Sequence, residues 1–149
     1  MSHRILFVCL GNICRSPSAE GVFRAIMPDA ITDSAGTSDW HIGNPPYEPM
    51  QQAARRRGYD LSELRARQFV PGDFEAFDLI LGMDTKNLAA IEALRPSGNA
   101  TQVRLLTDFA PQSDADHVPD PYHTRDFDGA LDLIEVAAQG LRTHLNSAN

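Results

Sequence analysis

Apolar and polar positions change period several times along this chain, and each change marks an element. Residues 5–8, Ile-Leu-Phe-Val, are apolar without alternation, as in a short strand covered on both faces. Residues 17–27 place Val22, Phe23 and Ile26 on one side and predict a helix. A second strand is predicted over 30–35. Residues 49–57 read as a helix that stops at Gly58, a residue suited to the left-handed turn that ends helices. A third strand is predicted over 77–81, closed by Gly82. Residues 84–94 read as a helix with Leu88, Ile91 and Leu94 on one side, stopped before Pro96. A fourth strand covers 103–106. In the last helix Phe127, Ala130, Leu131, Ile134, Ala138, Leu141 and Leu145 recur at helical spacing.

The resulting order is β-α-β-α-β-α-β-α. It predicts an α/β fold of three layers, with a four-stranded parallel sheet flanked by helices on both faces. A length of 149 residues holds one domain with a real core, so residues 1–149 are expected to form a single domain. No repeat, low-complexity tract or linker interrupts it. In such sheets ligands bind beyond the carboxyl ends of the strands. The first strand-to-helix turn, from Cys9 to Arg15, is therefore the place to look for chemistry.

Composition narrows the partners. With 13 basic and 20 acidic residues the net charge is −7, which argues against nucleic acid. No apolar run approaches the roughly 18 residues of a membrane span, and residues 5–9 are too short for a secretory leader. A soluble, cytoplasmic protein is expected, without a membrane partner. Two cysteines, Cys9 and Cys14, are too few for a disulfide scaffold, and both are expected as thiols at rest. They are also too few for a zinc site, which needs four ligands. Arg55-Arg56-Arg57 reads as a basic last helical turn. Asp114, Asp116 and His117 read as a solvated loop rather than a metal site.

The turn itself, Cys9-Leu10-Gly11-Asn12-Ile13-Cys14-Arg15-Ser16, reads as an anion cradle. Gly11 and Asn12 tolerate a left-handed backbone, so the loop can curl and aim successive N–H groups inward. Ser16 is expected to cap the next helix and Pro17 to suit its first turn. The helix N-terminus then adds partial positive charge, and Arg15 a planar fork that fits two phosphate oxygens. Cys9 sits at the base of this cradle, where each neighbour favours a thiolate. Neither an ATP-type P-loop nor a dinucleotide-binding fingerprint is present. An ionised sulfur behind a bound phosphorus is the geometry of nucleophilic displacement.

The segment V-C-L-G-N-I-C-R-S-P-S-A-E resembles the signature of the low-molecular-weight protein tyrosine phosphatases. Ser34-Ala35-Gly36-Thr37, Gly43-Asn44-Pro45-Pro46, Arg65-Ala66-Arg67-Gln68, Met83-Asp84 and Asp120-Pro121-Tyr122 match further stretches, so the resemblance spans essentially the whole chain. It implies hydrolysis of phosphotyrosine through a phosphocysteine, with Cys9 as nucleophile, Arg15 binding phosphate and Asp120 as general acid and base. Leu10, Gly11, Asn12, Ile13, Cys14, Arg15 and Ser16 would bind phosphate, while Asn12, Ser16 and Ser34 hold the loop's shape. Trp40, the only tryptophan, and Tyr122 would wall the substrate ring. Cys14 is the expected redox partner of Cys9. No cofactor or metal is implied. The expected partners are tyrosine-phosphorylated proteins, a tyrosine kinase among them, acted on by a monomer.

Three positions depart from the family's pattern. His123 stands where many relatives carry a second aromatic residue, Tyr47-Glu48-Pro49 replaces an Asp-x-Arg, and Leu64 stands where some relatives place a bracing histidine. Two other readings remain open from the residues: an arsenate reductase of the same fold using external thiols, and a phosphotyrosine-binding module.

Overall fold

The computed structural model describes residues 3–147. Strands β1 (Arg4–Cys9), β2 (Ile31–Gly36), β3 (Leu79–Gly82) and β4 (Gln102–Leu105) form a parallel sheet in the order β2-β1-β3-β4. Helices α1 (Arg15–Ile26), α2 (Glu48–Arg56), α3 (Asp73–Ala76), α4 (Thr85–Glu92), α5 (Pro121–Thr124) and α6 (Phe127–Ser147) connect or follow them, with 3₁₀ turns at Leu106–Phe109 and Pro111–Ser113.

Each face of the sheet has its own apolar core. Ile5, Phe7 and Cys9 pack with Val22 and Phe23 of α1, Met50 and Ala53 of α2, and Leu131, Ile134 and Leu141 of α6. Leu6 and Val8 point the other way, toward Phe69, Phe74, Ile80 and Ile91. This double coverage is why residues 5–8 carry no polar alternation. Burying a Leu or Ile side chain contributes about 1.5–3 kcal/mol, so the buried stripe of α6 is enough to seat that helix against α1.

Most expected elements appear, with shifted ends. The helix expected over 84–94 begins after Asp84, which is its N-cap in a reciprocal capping box with Asn87, and ends at Glu92. Leu94 therefore lies outside the helix and is exposed, so the expected three-residue apolar side is shorter by one. Gly58 is left-handed, at φ 89°, directly beyond the C-cap of α2. The strand order places β1 in the middle: the chain passes from β1 to β2 on one side, then crosses to β3 on the other. The carboxyl ends of β1 and β3 thus border the crevice where such sheets bind ligands.

Candidate active site

Cys9 ends β1 and is buried. The backbone N–H of Asn12 donates to Cys9 Sγ at 3.2 Å, and Ser16 Oγ lies 3.0 Å from the same sulfur. Asn12 makes the curl with φ 57°. Its amide orientation is set by its partners, because Oδ1 accepts from the Arg67 backbone N–H at 3.0 Å. Nδ2 must then donate, to Ser16 Oγ at 2.8 Å and Ser34 Oγ at 2.9 Å. Ser34 Oγ in turn donates to Glu20 Oε1 at 2.6 Å. With Ser16 Oγ already accepting from Asn12, its proton is left for Cys9 Sγ, the alternative acceptor Ala35 O being 3.5 Å away. Two donors therefore face the sulfur.

Ser16 does not cap α1, contrary to expectation. The helix begins two residues earlier than expected, at Arg15, with Cys14 as an N-cap that makes no side-chain hydrogen bond. The Ser16 hydroxyl is drawn to the sulfur instead, and the first N–H groups of α1 are left without a side-chain cap, as an anion site requires. Gly36 packs so closely on the loop that a Cβ there would stand 2.8 Å from Leu10 O.

Arg15 is buried, and its guanidinium is anchored by one end. Nη1 donates to Asp84 Oδ2 and to Val118 O, both at 2.9 Å. With both Nη1 hydrogens occupied, the Nε–Nη2 edge remains, a fork for two oxygens of a tetrahedral anion. Asp84 follows β3 and reaches Arg15 because the two loops share the crevice. Burial acts to raise the Asp84 carboxyl, but the Arg15 guanidinium and the Asn87 N–H outweigh it and hold it below the usual carboxylate range.

Asp120 is the N-cap of α5. Its Oδ1 accepts from Tyr122 N at 3.1 Å, while Oδ2 lies 3.7 Å from Arg15 Nη2 and 4.0 Å from His123 Nε2. Leu10, Arg15, Asp84, Asp120, His123 and Lys86, the chain's one lysine, are among the residues lining a cleft of about 370 Å³. Neither Trp40 nor Tyr122 lines that cleft. Trp40 is 69% exposed on the loop after β2, and Tyr122 rests its ring on Tyr47. That loop is pinned to the cradle, by Ser38 N to Leu10 O at 3.0 Å and Tyr47 N to Ile13 O at 2.8 Å.

Cys14 is buried and free. Burial, then the neighbouring Cys9 and Asp120, push its thiol far up and keep it protonated. Among the described residues no group of three or more Cys, His, Asp or Glu side chains is placed to hold a metal ion. Sequence reasoning gave no role to Asp84, Glu20 or Arg67. Glu20 is buried between Ser34 and Arg24, and burial pushes its carboxyl up against the pull of those two donors. Arg67, where the bracing histidine is missing nearby, is itself held by Asp33 at 3.1 Å and Asp73 at 3.0 Å. Glu20 carried no distinguishing local signal, because the same helix also holds Arg15, Ser16, Ser18 and Arg24. Both Asp84 and Arg67 lie in stretches that match the family, but nothing local showed that Asp84 would meet Arg15 or that the Arg67 backbone N–H would meet Asn12.

The profile of the family described as low molecular weight phosphotyrosine protein phosphatase matches residues 4–149. The low molecular weight protein-tyrosine-phosphatase YfkJ of Bacillus subtilis is 40% identical over 143 residues, covering 92% of each chain. Its crystal structure superposes with a TM-score of 0.94 at 37% identity, covering 100% of this chain and 98% of that one. A protein tyrosine phosphatase from Entamoeba histolytica, solved with Hepes in the active site, gives 0.93 at 34% identity and 99% coverage of both chains. The Drosophila arginine phosphatase gives 0.90 at 28% identity, with 97% and 99% coverage. With the cysteine cradle, its buried arginine and the carboxylate opposite all in place, the chain belongs to the low-molecular-weight phosphotyrosine protein phosphatase family.

Proposed function

We propose that this protein hydrolyses phosphotyrosine in proteins by way of a phosphocysteine. The observation that carries the reading is the pair of donors, Asn12 N–H and Ser16 Oγ–H, aimed at a buried Cys9 sulfur one loop away from the anchored Arg15. Arg15 and the loop N–H groups take the phosphate oxygens. Cys9 Sγ attacks phosphorus, the P–O bond to the phenol breaks, and Asp120 delivers its proton to the departing oxygen. Asp120, now a carboxylate, takes a proton from water as that water attacks phosphorus. The S–P bond breaks and the thiolate returns. The positive field comes from Arg15 and backbone dipoles.

Cys14 stands in this reading as a resolving thiol. Peroxide would oxidise Cys9 to a sulfenic acid, which removes the Cys9 charge that helps hold the Cys14 proton; Cys14 would then give up its proton and attack the Cys9 sulfur, forming a disulfide and releasing water. Arsenate reduction runs electrons along further cysteines, and Cys9 and Cys14 are the only two in the chain, so that reading needs external thiols as well. A mere binding module would need neither a donor-flanked thiol nor Asp120 opposite it. No helix among the described residues is long and apolar enough to cross a membrane, in keeping with protein substrates met in solution.

The test is hydrolysis of phosphotyrosine peptides and aryl phosphates without added metal. Cys9→Ser should abolish turnover, and Asp120→Asn should lower kcat by about 10²–10⁴. Wild-type rates in Cys9→Ser, or faster hydrolysis of phosphoarginine than of phosphotyrosine, would overturn the proposal.

A further inference from the structure

We infer that Tyr47 is a positioning residue for the general acid, tying the loop that carries Asp120 to the loop that carries Cys9; this rests on the proposed role of Asp120. Three contacts in series make the tie. The backbone N–H of Tyr47 donates to Ile13 O at 2.8 Å, which registers this residue to the phosphate cradle. Its ring then packs on Tyr122, with centroids 5.0 Å apart and planes tilted by 56°. Tyr122 in turn donates its backbone N–H to Asp120 Oδ1 at 3.1 Å, which leaves Oδ2 facing Arg15.

The acid loop needs such outside support. α5 has four residues, and a single helical turn does not sustain itself in water. It ends at Arg125, a non-glycine residue at φ 66°. Arg125 also leans on Tyr47: its Nη1 donates to Tyr47 Oη at 3.1 Å, and its guanidinium carbon stands 5.3 Å from the Tyr47 ring centroid and 5.2 Å from that of Phe127. Tyr47 therefore meets both ends of α5, through Tyr122 near its start and Arg125 at its close. Asp120 is not touched directly, so the action of Tyr47 passes through α5. The Tyr47–Tyr122 pair corresponds to a bias of about two- to tenfold for the docked loop.

The experiment is a series of aryl phosphates whose phenols differ in acidity, read as kcat/KM, which reports the steps through cleavage of the P–O bond. Strongly acidic nitrophenols leave without a proton, whereas phenol itself needs one. Tyr47→Leu should lose about three- to tenfold with phenyl phosphate and less than twofold with a dinitrophenyl phosphate, so the dependence on phenol acidity steepens. Tyr47→Met should do the same, and Tyr47→Phe should restore the wild-type slope. In an Asp120→Asn background, Tyr47→Leu should add no further loss. A uniform loss across the series, or an undiminished loss in the Asp120→Asn background, would overturn the inference. If Asp120→Asn alone loses nothing with phenyl phosphate, the general-acid reading fails first, and this inference falls with it.

Discussion

The side chain of Asn12 holds the nucleophile loop at a point where its worth can be worked out. Replacing Asn12 by Gly keeps the left-handed φ of 57° available but removes all three amide hydrogen bonds. The Arg67 N–H loses its acceptor, which costs roughly 1–3 kcal/mol. Ser16 and Ser34 lose only a donated hydrogen; Ser34 keeps Glu20, and the two losses together cost about 1 kcal/mol. The sum is about 3 kcal/mol, or a fall in Tm of about 6–12 °C for a chain of this size. Asn12→Ala adds a backbone term. A left-handed residue with a Cβ costs about 1–2 kcal/mol, offset by about 0.4–1 kcal/mol from the stiffer unfolded chain. Ala should therefore melt about 3 °C below Gly. Thermal unfolding followed by circular dichroism measures both. Equal melting of the two variants would refute the claim that the curl is strained for an ordinary residue. A fall under about 2 °C in Asn12→Gly would refute the network itself. Aryl phosphate turnover should drop in both, because Ser16 loses the donor that aims its proton at Cys9.

Asp84→Asn sets an amide N–H against the Arg15 guanidinium and removes its nearest anion, a loss of about 2 kcal/mol for a charged hydrogen bond that is partly solvated. The Asp84 carboxyl is held low in the folded state, so its stabilisation is full above the ordinary carboxylate range and is lost as pH falls through the folded value. Melting curves of the two proteins should thus lie about 4–8 °C apart at pH 7 and converge in acid; a constant gap would refute this account. Trp40→Ala should change stability by less than about 0.5 kcal/mol, since the ring is 69% exposed. It should still raise KM for aryl phosphates by about two- to tenfold through loss of a ring contact, and unchanged steady-state kinetics would remove Trp40 from the substrate wall.

The sequence by itself determined the layers and the position of the cradle. The uniform apolar run before Cys9, the helical spacing in the last helix and the stops at Gly58 and Gly82 are local signals, read within a few residues. Cys-x₅-Arg at a strand-to-helix turn is equally local, because neighbouring backbone N–H groups and the helix start build the anion site. What joins separate segments was not legible. Arg15 meets Asp84 across 69 positions and Val118 across 103, and Asn12 meets Arg67 across 55, because the order β2-β1-β3-β4 brings those loops to one crevice. α3 and α5, at four residues each, are too short to show a period. The expected helix cap at Ser16 failed for the same reason. Locally its hydroxyl suits an N-cap, but the fold sets a sulfur and an Asn12 amide within its reach, and a buried hydroxyl goes where its hydrogen bonds are satisfied.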